Sequence, residues 1–340
     1  MRAIVVRLDN DGDVLLAGPA IRAVAAGADH VTLLCGPRGA AAAALLPGVD
    51  AVIVRRAEWI DPDAPPLDRA DLDAYIDAIA AVRADAAAVL TSFHQSPLPS
   101  AFVLRLAGVS RIAAISEDFP GSLLDHRLPD PGDVHESERA LAVAAALGFA
   151  LPDGDDGRLA VRATAAATVL PERYVVVHPG ASVPARAWAP ERNRELVEAL
   201  ARAGRDVVVT GGPAERELTA FVAGAGPGVS DLGGATSLPA LAGVLARADA
   251  IVVGNTGPAH LAAAVGTPVV SLFAPTVPAA RWRPWGVPHE LLFVDVPCVG
   301  CRARACPVAG HPCLSGVTVA DVLGALDRLA PVLKRLEAVA

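Results

Sequence analysis

The sequence of 340 residues lacks the two short motifs that most often bind nucleotide phosphates. Neither G-x-x-x-x-G-K-[ST] nor a well-placed G-x-G-x-x-G occurs, so a P-loop protein and a typical dinucleotide-binding domain are both disfavoured. Lysine is almost absent, with Lys334 alone among 29 basic residues, and the net charge is −8. An acidic chain has no broad attraction for nucleic acid or anionic lipid, so any phosphate must be bound locally by a few basic groups and backbone amides.

Long uninterrupted hydrophobic segments are also missing. The uncharged span 250–280 is long enough to cross a bilayer, but glycines, prolines and an asparagine interrupt it, which favours a buried βαβ unit. The apolar run Ala3–Val6 is too short for the core of a signal peptide. We therefore expect a cytoplasmic protein, with peripheral association at the inner face of the cell membrane as an alternative. The oligomeric state is left open.

Short apolar strands alternate with alanine-rich helices in both halves of the chain. The strands are apolar on both faces, as buried parallel strands are, which predicts an α/β protein with two Rossmann-like, doubly wound domains facing a central cleft. Residues 117–134, rich in Pro, Asp and Gly, predict a long loop, and the interdomain linker is placed at 150–170. The predicted helices include Val14–Ala26, Arg38–Leu46, Leu72–Val82, Ala101–Ala107, His135–Leu147, Pro190–Ala203, Glu215–Ala223, Leu238–Arg247 and Val319–Ala338.

Residues 249–276 carry the strongest functional signal. An apolar strand runs into the turn Gly254-Asn255-Thr256-Gly257-Pro258, a helix of small residues carrying His260 follows, and the strand Val269–Phe273 closes the unit. In such a unit the turn and the helix N-terminus lie at the carboxyl edge of a parallel sheet, where amides and the helix dipole favour a phosphate. The alternative is a βαβ unit whose glycines serve packing alone.

Three carboxylates follow the first predicted strand. Asp9, Asp11 and Asp13 surround Gly12 ahead of a helix, and one N-terminal cap needs only one of them. Asp13 could take a proton from an attacking hydroxyl. A helix N-terminus would weaken it as a base, whereas burial would strengthen it.

Two further strand ends carry residues suited to a nucleotide. Ser182 and Arg186 follow a strand that ends at His178, and both could reach a phosphate, for which the Arg fork is well shaped. An ordinary surface loop is the alternative. Glu215 follows a Gly-Gly-Pro turn and could accept hydrogen bonds from ribose hydroxyls. Alternatively, its negative charge could simply interact favourably with the helix dipole.

Four cysteines form a cluster near the end of the chain. Cys298, Cys301, Cys306 and Cys313 could bind zinc or an iron–sulfur cluster, but their spacing matches no standard pattern closely. Because disulfides are rare in a reducing cytosol, we favour reduced thiols that pack a loop, and no metal is assigned.

Six stretches, in their order along residues 1–325, resemble glycosyltransferase family 9, the ADP-heptose:lipopolysaccharide heptosyltransferase family. No single stretch is specific, but the combination is. The cysteine loop also resembles one found in part of this family. The stretches are DGDVLLAGPA (11–20), HESERALAVAAALG (135–148), HPGAS with Arg186 and Trp188, GGPAERE, DLGGATSLPALAGVLARAD (231–249) and GNTGPAHLAAAVGTPVVSLFAPT.

The resemblance implies a GT-B fold with three parts. Residues 1–155 would form an acceptor-side domain, 170–318 a donor domain, and 319–340 a helix that crosses back to the first domain. It implies an inverting, metal-independent transfer of a heptose or related sugar from a nucleotide diphosphate to a hydroxyl of a cell-envelope glycan, as in lipopolysaccharide biosynthesis. No cofactor would be required, and the nucleotide-sugar would be the donor substrate.

The resemblance also implies roles for single residues. Asp13 matches the proposed general base, and Asp11, Gly12, His94 and Gln95 would lie on the acceptor side. Asn255 stands where many members carry Asp beside the donor sugar, so the sugar can differ from heptose. Arg186 stands where the family usually has Lys. The donor-binding residues would be Ser182, Arg186, Glu215, Asn255, Thr256, Gly257 and His260.

Three other functions stay open on the sequence. A GT-B nucleotide-sugar epimerase or hydrolase would share the donor pocket but use internal chemistry or water. A non-catalytic nucleotide-sugar-binding protein would bind the donor without consuming it. A metal-dependent module built on the cysteine loop is the third.

Overall fold

The computed structural model describes residues 1–61, 63–92, 94–162 and 169–337, with side chains as far as Leu329. The chain divides into two compact units, Met1–Arg162 and Ala163–Ala340. This division falls inside the range predicted as a linker, of which residues 163–168 lie outside the described part, as do Phe93 and Ala338. The two units are described separately below.

The first unit contains a six-stranded parallel sheet in the order β3-β2-β1-β4-β5-β6. The four residues of β4 are fully buried, in agreement with the expectation that these strands are covered on both faces. The sixth strand lies within 117–134, so the prediction of an unbroken loop there was wrong. The strands are β1 (Arg2–Arg7), β2 (His30–Cys35), β3 (Ala51–Val54), β4 (Ala86–Val89), β5 (Arg111–Ile115) and β6 (His126–Leu128).

The helices of the first unit follow the predicted order, with two differences. The helix predicted at Val14–Ala26 is two helices, because α1 ends at Leu16 and Pro19 lies in the first turn of the next. The segment 38–46 holds a short 3₁₀ turn followed by a single α-helical turn. The helices are α1 (Asp11–Leu16), α2 (Gly18–Gly27), α3 (Ala40–Ala43), α4 (Arg69–Val82), α5 (Leu98–Leu106) and α6 (Glu136–Ala146).

The second unit repeats this architecture. Its six parallel strands have the order β12-β11-β10-β7-β8-β9, which is the topology of the first sheet once its strands are renumbered from β7. The edge strand β12 was not predicted. The strands are β7 (Val175–His178), β8 (Val207–Val209), β9 (Val229–Asp231), β10 (Ala250–Gly254), β11 (Val269–Leu272) and β12 (His289–Leu292).

Seven helices are described in the second unit. The last packs against helix α7 and strands β11 and β12 of its own unit, and its predicted return to the first domain stays a prediction. The helices are α7 (Pro190–Arg202), α8 (Arg216–Ala223), α9 (Leu238–Leu245), α10 (Gly257–Ala264), α11 (Ala279–Trp282), α12 (Pro312–Ser315) and α13 (Val319–Glu337). No helix in the described part of the chain combines the length and apolar character needed to span a bilayer.

Each unit has its own hydrophobic core between sheet and helices. Ile4, Val6 and Ile112 are central to the first, and Val177, Leu196 and Val252 to the second. Burying a side chain of this size contributes roughly 1.5–3 kcal/mol to the free energy of folding, so these residues stabilise the packing of helices on each sheet.

Strand order reverses at one place in each sheet. In the first unit β1 and β4 are neighbours, and the strands that follow them in the chain are added on opposite sides of this pair. In the second unit β7 and β10 form the corresponding pair. Open α/β sheets bind ligands in the crevice at the carboxyl ends of such strands. Residues 9–13 therefore meet residues 91–92 and 94–97 at the first switch point, and residues 179–186 meet 254–260 at the second.

Candidate active site

The first switch point is organised around a buried arginine. Arg7 is the last residue of β1 and is 4% exposed. Its Nε lies 3.1 Å from an Asp9 oxygen, and its Nη2 lies 3.0 Å from Asp13 Oδ1 and 3.6 Å from Glu136 Oε2. Burial alone would lower the pKa of Arg7, but the three carboxylates together raise it. The guanidinium therefore stays charged and holds the acids in place.

Two of these acids differ in how well a substrate could reach them. The Asp13 side chain is 20% exposed, whereas that of Asp9 is 9% exposed. Asp9 also accepts a hydrogen bond of 2.6 Å from Gln95 Nε2. Burial raises the pKa of Asp9 against the opposing effect of Arg7. Asp13 is therefore the carboxylate of this cluster that an acceptor hydroxyl can approach.

The other residues assigned to the acceptor side are placed differently. One carboxylate oxygen of Asp11 accepts from the amide of Ala42 at 3.0 Å, so this side chain connects α1 to α3 and is not part of the Arg7 cluster. Burial raises its pKa. Gly12 is buried within α1, and His94 is exposed in the loop after β4, where it lines a cavity together with Gln95.

The second switch point contains a buried amide without a partner. Asn255 is 5% exposed, and neither its side-chain oxygen nor its nitrogen is hydrogen-bonded to any part of the chain that the structure describes. Thr256 is the N-cap of α10 and makes no side-chain cap bond. Gly257 begins that helix and His260 is buried within it. The helix N-terminus and an unsatisfied amide thus meet at the end of β10.

Arg186 lies close to the same turn. It ends a 3₁₀ turn, and its Nε donates to Thr276 Oγ1 at 3.3 Å. A Cβ on Gly254 would lie 2.6 Å from the carbonyl oxygen of Arg186, so only glycine allows the two segments to approach this closely. Ser182 is exposed in the loop before the 3₁₀ turn.

Glu215 lies at the neighbouring strand end with a histidine beside it. Its Oε2 accepts from the amide of Gly212 at 2.7 Å and lies 4.0 Å from His178 Nε2. His178 Nδ1 is 2.9 Å from Thr210 Oγ1. Burial lowers the pKa of His178, which Glu215 only partly offsets. The imidazole is therefore kept neutral near pH 7.

The cysteine segment does not form a recognisable metal centre. Within the described residues, no group of three or more His, Cys, Asp or Glu is placed to hold a metal ion. All five cysteines are free thiols, and the four candidates line a small cavity with His311. Burial raises the pKa of Cys313, and the neighbouring thiols add to the rise. Part of the predicted loop is the helical turn α12, a correction to the expectation of an irregular segment.

Four residues of these sites were missed by sequence reasoning: Arg7, Glu136, His178 and Thr276. A local signal existed for Arg7, since an arginine inside an apolar strand and directly ahead of three acids is unusual. His178 was noted only as a strand end. Glu136 lies 129 positions from Arg7, and only the tertiary fold joins them.

A model of glycosyltransferase family 9 (heptosyltransferase) matches residues 77–311. The chain belongs to glycosyltransferase family 9. A similar family 9 relative is lipopolysaccharide heptosyltransferase 3 of Escherichia coli, 31% identical over 47% of this chain and 48% of its own length. Lipopolysaccharide heptosyltransferase 1 of Pseudomonas aeruginosa is 33% identical over 62% of this chain and 61% of its own length. The chain thus spans about half to three fifths of the length of these relatives.

A solved structure of the family extends the likeness to the whole fold. The E. coli ADP-heptose lipopolysaccharide heptosyltransferase II aligns with a TM-score of 0.74 and 20% identity, over 99% of this chain and 100% of that one. At this identity the likeness concerns the fold. The α/β class and the GT-B fold predicted from the sequence are confirmed, whereas the roles of the single site residues stay predictions.

Proposed function

We propose that this protein is a glycosyltransferase that moves a sugar from a nucleoside diphosphate to a hydroxyl group. Membership of family 9 supports the class of reaction. The observation that carries the proposal is the buried, unpartnered amide of Asn255 at the N-terminus of α10. An unsatisfied buried polar group costs about 1–3 kcal/mol, so this position favours a ligand that offers both a donor and an acceptor. A hydroxyl-bearing sugar on a diphosphate meets that requirement.

The second unit would bind the donor. The amides of Thr256 and Gly257 and the dipole of α10 favour the diphosphate, and Arg186 adds a fixed positive charge beside it. Glu215 uses one carboxylate oxygen on the Gly212 amide, which leaves the other for a ribose hydroxyl. The name of the E. coli structural neighbour supports ADP-heptose as the first donor to test.

The first unit would supply the base. Asp13 takes the proton of the acceptor hydroxyl while that oxygen attacks the anomeric carbon from the face opposite the diphosphate. The bond to the diphosphate breaks and the configuration at the anomeric carbon is inverted. Arg7 holds Asp13 at 3.0 Å and so fixes the direction of the carboxylate. A positioned base typically contributes about 10²–10⁴-fold to the rate.

The departing diphosphate gains negative charge as the bond breaks. We propose that Arg186 and the N-terminus of α10 stabilise that charge without a divalent metal. Preorganised donors of this kind are typically worth about 3 kcal/mol each. The acceptor would be a hydroxyl of a cell-envelope glycan of the lipopolysaccharide type, as the names of the relatives suggest. Transfer would then take place in the cytoplasm, at the inner face of the membrane.

Product analysis tests the proposal directly. Purified protein is incubated with ADP-heptose and with other nucleotide sugars, with and without a pool of hydroxyl-bearing glycans. The expected result is ADP release that depends on the acceptor, with a new glycoside seen by mass spectrometry. Equal donor consumption without any acceptor would identify a hydrolase or an epimerase instead.

Calorimetric titration with ADP tests the donor site separately. Arg186→Ala should weaken ADP binding by roughly 10–100-fold, since a hydrogen bond to a charged group is worth about 1.5–3 kcal/mol. Arg192→Ala is the control, because that arginine is 42% exposed and paired with Glu195 on α7. An unchanged ADP affinity in Arg186→Ala would rule out the proposed diphosphate contact.

A further inference from the structure

A polar cavity of about 200 Å³ lies in the first unit, beside the carboxyl ends of β4 and β5. This volume is well above the roughly 10–15 Å³ that one water requires, and below the roughly 300 Å³ at which drug-sized pockets begin. The cavity therefore suits a single small ring or an equally small group. Residues 91–92, 94–97 and 115–118 form most of its wall, and Asp130 and Arg139 complete it.

The cavity wall is connected to the proposed base, Asp13, through the side chain of Arg7. Its wall residues Ser92 and Gln95 are both bonded to the Arg7 cluster: Arg7 Nη2 donates to Ser92 Oγ at 3.1 Å, and Gln95 donates to Asp9 at 2.6 Å. The same Arg7 nitrogen donates to Asp13 at 3.0 Å. A ring in this cavity would thus lie against Ser92, which contacts Arg7, the partner of the proposed base.

The charge on the cavity wall is negative. Glu117, Asp118 and Asp130 contribute three carboxylates. The guanidinium of Arg139 contacts both Asp130 and Glu136, so its charge is already shared between two acids. Within the described residues, Glu117 and Asp118 form no ion pair, and the carboxylate of Asp118 accepts from Ser96 Oγ at 3.2 Å.

A neighbouring cation reduces this charge but does not outweigh it. Arg127 lies next to the segment 116–117, but its guanidinium donates to the backbone carbonyls of Ser116 and Glu117, at 2.9 and 2.6 Å, and not to a carboxylate. His94 is exposed on the same wall. Three wall carboxylates thus stand against the guanidinium of Arg139 on the described wall and that of Arg127 beside it, which leaves a small excess of negative charge.

We propose that this cavity is the acceptor subsite and that it selects a hydroxyl-bearing ring with a protonated amine, accepts a neutral ring less well and rejects a carboxylate-bearing ring. This inference rests on the proposed glycosyl transfer and names the class of its acceptor. The carboxylates attract the amine. Ser92, Gln95 and Ser96 already have partners within the chain, and each keeps an oxygen lone pair that can accept from a ring hydroxyl.

Three probes that differ mainly in charge test the inference. Methyl glucosaminide, methyl glucoside and methyl glucuronide are titrated into the full-length protein saturated with ADP, and binding is followed by saturation-transfer NMR. We expect the amine to bind about tenfold more tightly than the acid at low salt, and the difference to shrink at 1 M salt, because these carboxylates are partly exposed and are screened.

Variants that change the charge of the cavity wall test whether its carboxylates cause the preference for the amine. Glu117→Gln combined with Asp118→Asn should reduce the preference for the amine to about a third, and Asp118→Lys should raise the affinity for the glucuronide. Asp73→Asn removes a carboxylate of α4 that is half exposed and remote from the cavity wall, so it should leave the preference unchanged. Circular dichroism and ADP titration check that each variant is folded.

The outcomes separate this inference from the proposed function. Equal binding of the three sugars, tighter binding of the glucuronide, or no binding of any of them overturns the acceptor assignment. Loss of ADP binding by the wild-type protein would overturn the donor site of the proposed function while the charge preference of the cavity could still be measured without ADP.

Discussion

The two switch points share one topology but satisfy their buried polar groups in different ways. In the first unit, Arg7 lies among three carboxylates, and each is within ion-pair distance of it. In the second unit, the amide of Asn255 is buried without a hydrogen bond to the described residues. The first site therefore holds its charges in position by contacts within the chain, whereas we propose that a ligand completes the second.

This difference agrees with the division of labour in the proposed reaction. A base must point in one direction through the whole cycle, which the Arg7 cluster achieves by charge-assisted contacts. A donor site gains affinity when the bound molecule removes the cost of an unsatisfied group. Ligand binding should thus stabilise the second unit more than the first, in proportion to donor affinity and concentration.

Removing the centre of the first site should have the largest effect. Arg7→Leu removes the cation shared by Asp9, Asp13 and Glu136 and leaves Asp9 buried without one, whereas Glu136 keeps its contact with Arg139. Breaking a buried ion pair in this way costs about 3–5 kcal/mol. We expect a lower denaturation midpoint and loss of transfer activity. Arg69→Leu is the control, because this arginine is 87% exposed on α4.

An additional substitution tests whether the lost stability comes from the carboxylate left without a cation. Asp9→Asn, added to Arg7→Leu, removes the buried charge that has lost its cation and should restore part of the stability but no activity. If Arg7→Leu alone kept wild-type stability in urea, the cluster would not depend on the guanidinium.

Removing the base should affect the reaction and leave the fold intact. Asp13→Asn keeps the shape of the side chain and the acceptor oxygen for Arg7, so we expect kcat to fall by about 10²–10⁴-fold with ADP affinity unchanged. Asp73→Asn should have wild-type kcat. Steady-state kinetics and calorimetry measure the two quantities, and near-wild-type turnover in Asp13→Asn would assign the base to another group.

Most of the fold could be predicted from the sequence because its signal is local. Strands such as β4 (Ala86–Val89) and β7 (Val175–His178) are short, mostly apolar runs between turns, and the structure buries all of their residues. The strands β6 and β12 were missed because their short sequences mix charged and apolar residues and show no apolar run. Their place in the sheet depends on pairing with β5 and β11, which no local pattern shows.

The candidate sites were predictable only in part, for a similar reason. The turn at 254–258 and the carboxylate of Asp13 follow from strand ends, which local patterns locate. The ion pairs of Arg7 with Glu136, and the approach of Gly254 to the Arg186 carbonyl, join segments far apart in the chain. The partners of a buried charge are set by the tertiary fold, and the sequence alone shows only that such a charge needs one.

The unsatisfied amide of the second site predicts an unusual separation of stability from binding. Asn255→Ala removes the unpartnered group, so the free energy of unfolding should stay the same or rise by up to about 1 kcal/mol, while donor affinity falls about tenfold. Asn193→Ala is the matched control, because that buried amide donates to the carbonyls of Trp188 and Ala189. The control should lose about 1–2 kcal/mol of stability and keep its donor affinity.

The smallest effect concerns the pH dependence of the second site. Burial lowers the pKa of His178 from its ordinary value of 6.5, so the unfolded chain binds a proton more readily than the folded one. Stability therefore falls as the pH drops below about 6.5, by up to about 1.4 kcal/mol per pH unit until the folded form also protonates. In His178→Gln this pH-dependent contribution should be absent from the free energy of unfolding, which urea denaturation measures between pH 7.5 and about 5. His126→Gln, on the exposed strand β6, should keep it. An unchanged pH slope in His178→Gln would mean that the pKa of this imidazole is the same in the folded and the unfolded chain, and therefore that burial does not hold it neutral.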